Sequence, residues 1–239
     1  VSAERLLLAG IVAVAFTVQS SVGFGAMLTC LVLGALWLPI PELLPQLVPL
    51  SMLQALWLVA RYGGVDWALL ARAVLPLAGA GLLLGILGAA ATPIDLRPVL
   101  GVVVLALGAR ELWRGPDAPL PPRSVRSVAF FVAGLLQGLF ATGGPPLVWG
   151  LASSGLPKTT FRAALVTSLF VLNVGLMTSF AARGLLSADS AVGTAWLLAP
   201  MFAGTWLGDR LHHRIDEGRF RTAVWWMLCA GAVGLLLRR

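Results

Sequence analysis

Charged residues punctuate this chain at wide intervals. The uncharged stretches between them run over 6–41, 43–60, 73–94, 98–109, 127–157, 163–182, 190–208 and 222–237. About 20 apolar residues in a helix cross the hydrocarbon layer of a bilayer. The pattern therefore predicts an all-α, polytopic membrane protein. The windows at 98–109 and 222–237 are short and must draw on flanking residues. The windows at 6–41 and 127–157 are too long for one ordinary helix.

Each long window carries polar and glycine residues near its middle: Gln19, Ser20, Ser21, Gly23 and Gly25 in the first, and Gln137, Thr142, Gly143, Gly144, Pro145 and Pro146 in the second. Proline removes an N–H donor and glycine permits sharp turns. Irregular backbone at membrane depth persists only where protein buries it or water reaches it. Each long window is thus expected to form two short helices joined by an irregular tip.

The order long, medium, medium, short recurs on either side of a proline-rich linker, 115–125. This divides the chain into a first transmembrane repeat, 1–114, and a second, 126–239. Matching residues follow the same order. Gln19-Ser-Ser-Val-Gly23-Phe-Gly25 faces Gln137-Gly-Leu-Phe-Ala-Thr-Gly143, and Arg61 faces Arg183. Pro76 with Gly81 and Gly85 faces Pro200 with Gly204 and Gly208, and Arg97 faces Arg219 and Arg221. Such an ordered series points to internal duplication, which in membrane proteins is characteristic of transporters with a site at the repeat interface near the midplane. The Gly-x3-Gly pairs suit close helix packing, within the chain or in a homodimer.

Composition narrows the class. Hydrophobic residues make up 59% of the 239 and charged residues 11%, against about a quarter charged in soluble domains. The net charge of +7 sits in loops between apolar runs and forms no basic stripe, so no nucleic-acid partner is expected. Trp37, Trp67 and Trp113 lie near segment ends, where the headgroup region suits an amphipathic ring. Cys30 and Cys229 lie in apolar runs without metal-ligand spacing. Arg5 followed by Leu6 to Val18 mimics a signal peptide, but the uncharged run continues to Pro41, so the segment is read as structure.

If every window crosses once, the 17 Lys and Arg divide 10 to 7 between the two sides of the membrane. If both long windows are re-entrant, the division is 12 to 5, with Arg61, Arg72, Arg110, Arg114, Arg123, Arg126, Lys158, Arg162, Arg210, Arg214, Arg219 and Arg221 on one side. The positive-inside rule favours the second arrangement and makes that side cytoplasmic. Each half then has three crossing helices after a broken, re-entrant first helix, and the halves are inverted.

Helices that begin after the tips would present free N–H groups and a partial positive charge, an anion site built without arginine. The candidate substrate ligands are Gln19, Ser20, Ser21, Gly23, Gly25, Gln137, Thr142, Gly143, Gly144, Pro145, Thr167, Ser168 and Asn173, with Ser51 and Gln54 as further polar neighbours. For each hydroxyl the competing reading is a bond back to its own helix.

The tips Val22-Gly23-Phe24-Gly25-Ala26 and Gly138-Leu-Phe-Ala-Thr-Gly143-Gly144-Pro145-Pro146-Leu147 resemble the TauE/SafE family of sulfite and organosulfonate exporters. So do Gly155-Leu-Pro157-Lys158, running on to Arg162 and Thr167-Ser168, and Arg61-Tyr-Gly-Gly-Val-Asp-Trp67. The first tip departs from the family pattern, having Gly23 and Gly25 where members often carry a glycine triplet. The resemblance implies a multi-pass transporter of the inner or plasma membrane, exporting sulfite, a sulfonate or a similar oxyanion.

No acid lies mid-window, which argues against a buried-carboxylate proton relay and for export driven by the membrane potential. His212 and His213 beside Asp209, Asp216 and Glu217 suggest a metal site, but adjacent histidines cannot share one helix face. No metal or cofactor is expected. No nucleophile elbow, HExxH or P-loop is present, so an embedded enzyme is the weaker alternative. An anion-selective channel built from the same parts stays open.

Overall fold

The computed structural model describes residues 3–22, 25–62, 65–91, 95–114, 122–212 and 217–237, and every regular element among them is helical. The first long window yields α1 (Ala3–Val22) and α2 (Ala26–Gly34), followed by α3 (Ile40–Tyr62). Next, α4 (Trp67–Leu69) passes through a π turn at Leu70–Val74 into α5 (Leu75–Ala91), and α6 (Leu96–Arg114) closes the first part of the chain. A 3-10 turn at Arg123–Val125 leads into α7 (Arg126–Phe140), α8 (Gly144–Ala152), α9 (Lys158–Ala182), α10 (Ala188–His212) and α11 (Glu217–Leu237).

Local chemistry accounts for the irregular points. The Asp66 carboxylate accepts the Leu69 N–H at 2.9 Å and starts the 67–91 stretch. Pro76 lacks an N–H and its ring crowds the carbonyl four residues back; the π turn at Leu70–Val74 lies just there and accommodates it. The short windows do borrow flanking residues, giving helices of 19 and 21 residues. Among the described residues, five stretches are long and apolar enough to cross a bilayer: Glu4–Ser21, Ile40–Ala60, Trp67–Ala91, Thr159–Ala182 and Phe220–Leu237. Helix α10 has the length, 25 residues, but carries Asp189, Asp209 and Arg210 near its ends.

The two long windows break differently. The second gives helices of 15 and 9 residues. The first was expected to give two short helices as well, but α1 runs for 20 residues and only α2, with 9, is short. Gln19, Ser20 and Ser21 stay inside α1, because a helix tolerates polar side chains that find partners. Helix α1 is described to Val22, and α2 is capped by Gly25, whose φ of 109° a side-chain-bearing residue rarely adopts. After each break the chain doubles back. Gly34 at the end of α2 lies against Leu8 of α1, and Gly150 of α8 faces the ring of Phe130 on α7.

The chain folds into two compact units. One holds α1, α2, the start of α3 through Leu47, α6, α10 and α11; the other holds α3 from Val48, α4, α5, α7, α8 and α9. Each therefore draws helices from both sides of the 115–125 linker. In the first unit α1 packs along α10 and α11 along α6; in the second α5 packs along α7. Leu70, Val74, Phe130, Ala133, Leu147, Leu151, Ala164 and Leu165 make the core of the second unit.

The glycine pairs make the closest of these contacts. A Cβ on Gly81 or Gly85 would collide with the carbonyl oxygens of Phe131 or Leu135, and one on Gly204 or Gly208 with those of Ala13 or Thr17. In the register that matches Gln19 to Gln137, Ala13 and Thr17 are the counterparts of Phe131 and Leu135. The same crossing is built twice, once in each unit. Lipid chains are as apolar as leucine, so helices in a bilayer associate through such close backbone packing. These glycines are occupied by crossings within the chain.

Candidate functional site

The two glutamines that open the tip motifs do the same job. The Gln19 side-chain oxygen accepts the Ala26 N–H at 2.9 Å, and that of Gln137 accepts the Gly143 N–H at 2.8 Å. Each clamps the backbone on one side of a break to the backbone on the other. Gln137 also donates through Nε2 to Asn173 Oδ1 at 2.6 Å, and Asn173 Nδ2 donates to Ser51 Oγ at 3.2 Å. Gln137 and Asn173 are each 1% exposed, so this network stands in place of solvation for three buried polar side chains.

Within the first unit, the candidate hydroxyls are committed to protein partners. Ser20 Oγ donates to Asp209 Oδ1 at 2.5 Å. Ser21 Oγ lies 2.9 Å from the Thr17 carbonyl and 3.2 Å from that of Gly208. Gly25 caps α2, and Gly23 lies outside the described residues. The Ser20–Asp209 pair was not legible from the spacing of acids along the chain: Asp209 lies near a window end in sequence, yet its carboxylate meets a tip residue.

The second unit is different. Ala141 ends α7 in the left-handed conformation, φ 53°, with its N–H on the Gln137 carbonyl at 2.8 Å. Gly143 then caps α8, packed so that a Cβ would strike the Ala133 carbonyl. The first turn of α8 carries Gly144, Pro145 and Pro146. Proline has no N–H and the Gly143 N–H is bound to Gln137, so Gly144 supplies the one remaining donor of that turn. The helix end offers less than the full set of free N–H groups expected for an anion site, because two of those positions are prolines.

Two of the candidate hydroxyls in this unit are buried without a partner. Thr142 and Thr167 are each 3% exposed, and neither Oγ1 has a hydrogen-bond partner. Ser168, next to Thr167, is buried but bonds back to the Ala164 carbonyl at 2.7 Å. Of the residues proposed from sequence, Thr142, Thr167 and Gly144 therefore have donors to offer, whereas Gln19, Gln137, Ser20, Ser21, Ser168 and Asn173 have committed donors or acceptors. Asp216 and His213 of the suggested metal cluster lie outside the described residues.

A left-handed alanine costs about 1 kcal/mol relative to glycine in the same place. Part of that is returned because glycine makes the unfolded chain more flexible. Ala141→Gly is expected to stabilise the protein by about 0.5 kcal/mol, read as a small rise in melting temperature in detergent; a fall would show that the methyl packs favourably.

Among known proteins, the family described as Sulfite exporter TauE/SafE matches residues 6–235. The chain is 30% identical over 182 residues to a Cupriavidus necator protein named Probable sulfite/organosulfonate exporter TauE, an alignment covering 72% of this chain and 69% of the relative. No solved structure matches.

Proposed function

Because the chain belongs to the sulfite exporter TauE/SafE family and is a multi-pass membrane transporter, we propose that it exports sulfite or an organosulfonate across the inner or plasma membrane. The anion is held at the Gly-rich break between α7 and α8. The observation that carries this reading is the pair of buried, unpartnered hydroxyls of Thr142 and Thr167. A buried donor without a partner costs about 1–3 kcal/mol, and such a group calls for an explanation. An oxyanion supplies one: it accepts from hydroxyls and from the Gly144 N–H at the positive end of α8.

Thr142→Val and Thr167→Val test this directly, since each removes a hydroxyl that no protein group uses. The melting temperature of the substrate-free protein is expected to stay level or rise slightly. Sulfite affinity, measured by thermal shift or calorimetry, is expected to fall about tenfold or more for each, the scale of one hydrogen bond to a charged group. Unchanged affinity in both variants would place the site elsewhere. Gly143→Leu is a poor probe, because the collision with Ala133 would disturb the turn itself.

Duplication of 1–114 as 126–239 is supported by the twice-built glycine crossing and by the two glutamine clamps. We take the two repeats to be inverted, as the charge distribution favours. Export then runs down the inside-negative potential acting on the anion. Flux that follows a pH gradient at zero membrane potential would overturn that driving force.

A further inference from the structure

The first unit carries a crevice of about 410 Å³ whose chemistry does not suit the transported anion. It is lined by Val14 and Thr17 of α1, Ala203 and Leu207 of α10, and Phe220 and Met227 of α11, among others. The hydroxyl of Thr17 lies 2.8 Å from the Ala13 carbonyl and 3.1 Å from that of Gly204, so it offers the crevice no donor. An open, apolar slot on a membrane helix takes a hydrocarbon chain.

The residues at one end of the crevice say which kind. Leu207 and Phe220 lie toward the connection between α10 and α11, and each is followed closely by an arginine. The Arg210 guanidinium stacks 3.7 Å from the ring centroid of Trp206, and Trp206 is 57% exposed. A tryptophan ring at the headgroup level holds a cation where lipid phosphates lie. Arg221 directly follows Phe220 on α11. The Asp209 carboxylate accepts from Ser20 of α1, and among the described residues it makes no ion pair with Arg210 or Arg221. By charge distribution this is the cytoplasmic face, where basic pockets between helices hold anionic headgroups.

We propose that this crevice binds an anionic phospholipid, with one acyl chain between α10 and α11 and the phosphate held by Arg210 and Arg221. The site does not depend on the identity of the transported anion.

The test uses the full chain in nanodiscs of equal phosphatidylglycerol and phosphatidylcholine with matched acyl chains. Lipid retained after transfer to detergent is read by native mass spectrometry. Wild type is expected to retain phosphatidylglycerol about fivefold over phosphatidylcholine, the scale of one arginine at a membrane surface. The Arg210→Ala, Arg221→Ala double variant is expected to lose the preference, and Ala203→Phe, which fills the slot, to lose retention of both lipids. Ala223→Phe fills it from the other wall and serves if Ala203→Phe melts early. Equal retention by wild type, a preference that survives the arginine double variant, or retention that survives both Phe variants overturns the proposal. So does a dimer in detergent that Ala203→Phe dissociates, which would make a second copy the occupant.

Discussion

Gly138→Val is expected to leave little folded protein. A Cβ at this position would collide with the Leu82 carbonyl oxygen, and would sit 2.8 Å from the Ile86 nitrogen and 2.9 Å from the Gly85 Cα. All three atoms are backbone, so no rotamer change on α5 relieves the clash. Overpacking that side chains can absorb costs about 1–3 kcal/mol. Here α5 and α7 must separate instead, and the close contacts at Gly81, Gly85 and Gly134 are lost with them. A loss of about 3 kcal/mol or more follows, a large share of the stability of an ordinary domain. Gly85→Val should behave alike, as should Gly204→Val on α10, where the obstacle is the Ala13 carbonyl. The control is Gly79→Ala: a Cβ there meets nothing within 4 Å, and alanine favours the helix by about 0.5–1 kcal/mol. Size-exclusion profiles in detergent should show aggregation or loss for the valine variants and a normal peak for Gly79→Ala. Equal melting temperatures for Gly138→Val and Gly79→Ala would show that the two helices yield more easily than their backbone contacts imply.

How much of this was legible in the sequence differs residue by residue. The Gly-x3-Gly pairs announced a close crossing, because glycine at that spacing has few other uses in an apolar helix. They did not announce their partners, which lie on helices remote in sequence; Thr17 and Gly204, for example, are joined across 187 positions. Gln19 and Gln137 could be matched as counterparts, since both stand at the same place before a Gly-rich break. The structure adds a bracing role to both. A glutamine in an apolar window looks like a ligand, but its amide also spans the gap that a broken helix leaves, and which use prevails depends on where the chain goes after the break. Pro145 and Pro146 carried a signal that spacing alone underrates: they make a good first turn for α8 while removing two of the donors that an anion would want. That shifts the weight of the candidate site onto Thr142 and Thr167, and nothing in a sequence says that a threonine lacks a partner. The long α1 was misread for a related reason. Ser20 and Ser21 do not interrupt the helix, because their side chains find partners on α10.

The clamp itself gives the sharpest test of how the second break is held. Gln137→Leu keeps the volume and removes both ends of the amide. It strands the Gly143 N–H and the Asn173 side-chain oxygen, both in the interior of the unit. Each stranded group costs about 1–3 kcal/mol, so a total of about 2–6 kcal/mol is expected, with transport lost because the turn carrying Thr142 and Gly144 is no longer fixed. Asn173→Leu should cost less, since it frees Gln137 Nε2 and Ser51 while leaving the Gly143 bond intact. In the double variant the Gln137–Asn173 bond has lost both partners, and replacing both partners by apolar groups of similar shape is far gentler than replacing one. The double variant should therefore be more stable than the sum of the single losses predicts by about 1 kcal/mol or more, the range found for coupled neighbours. Strict additivity would mean that the two amides do not act together, and that Gln137 fixes the break through Gly143 alone.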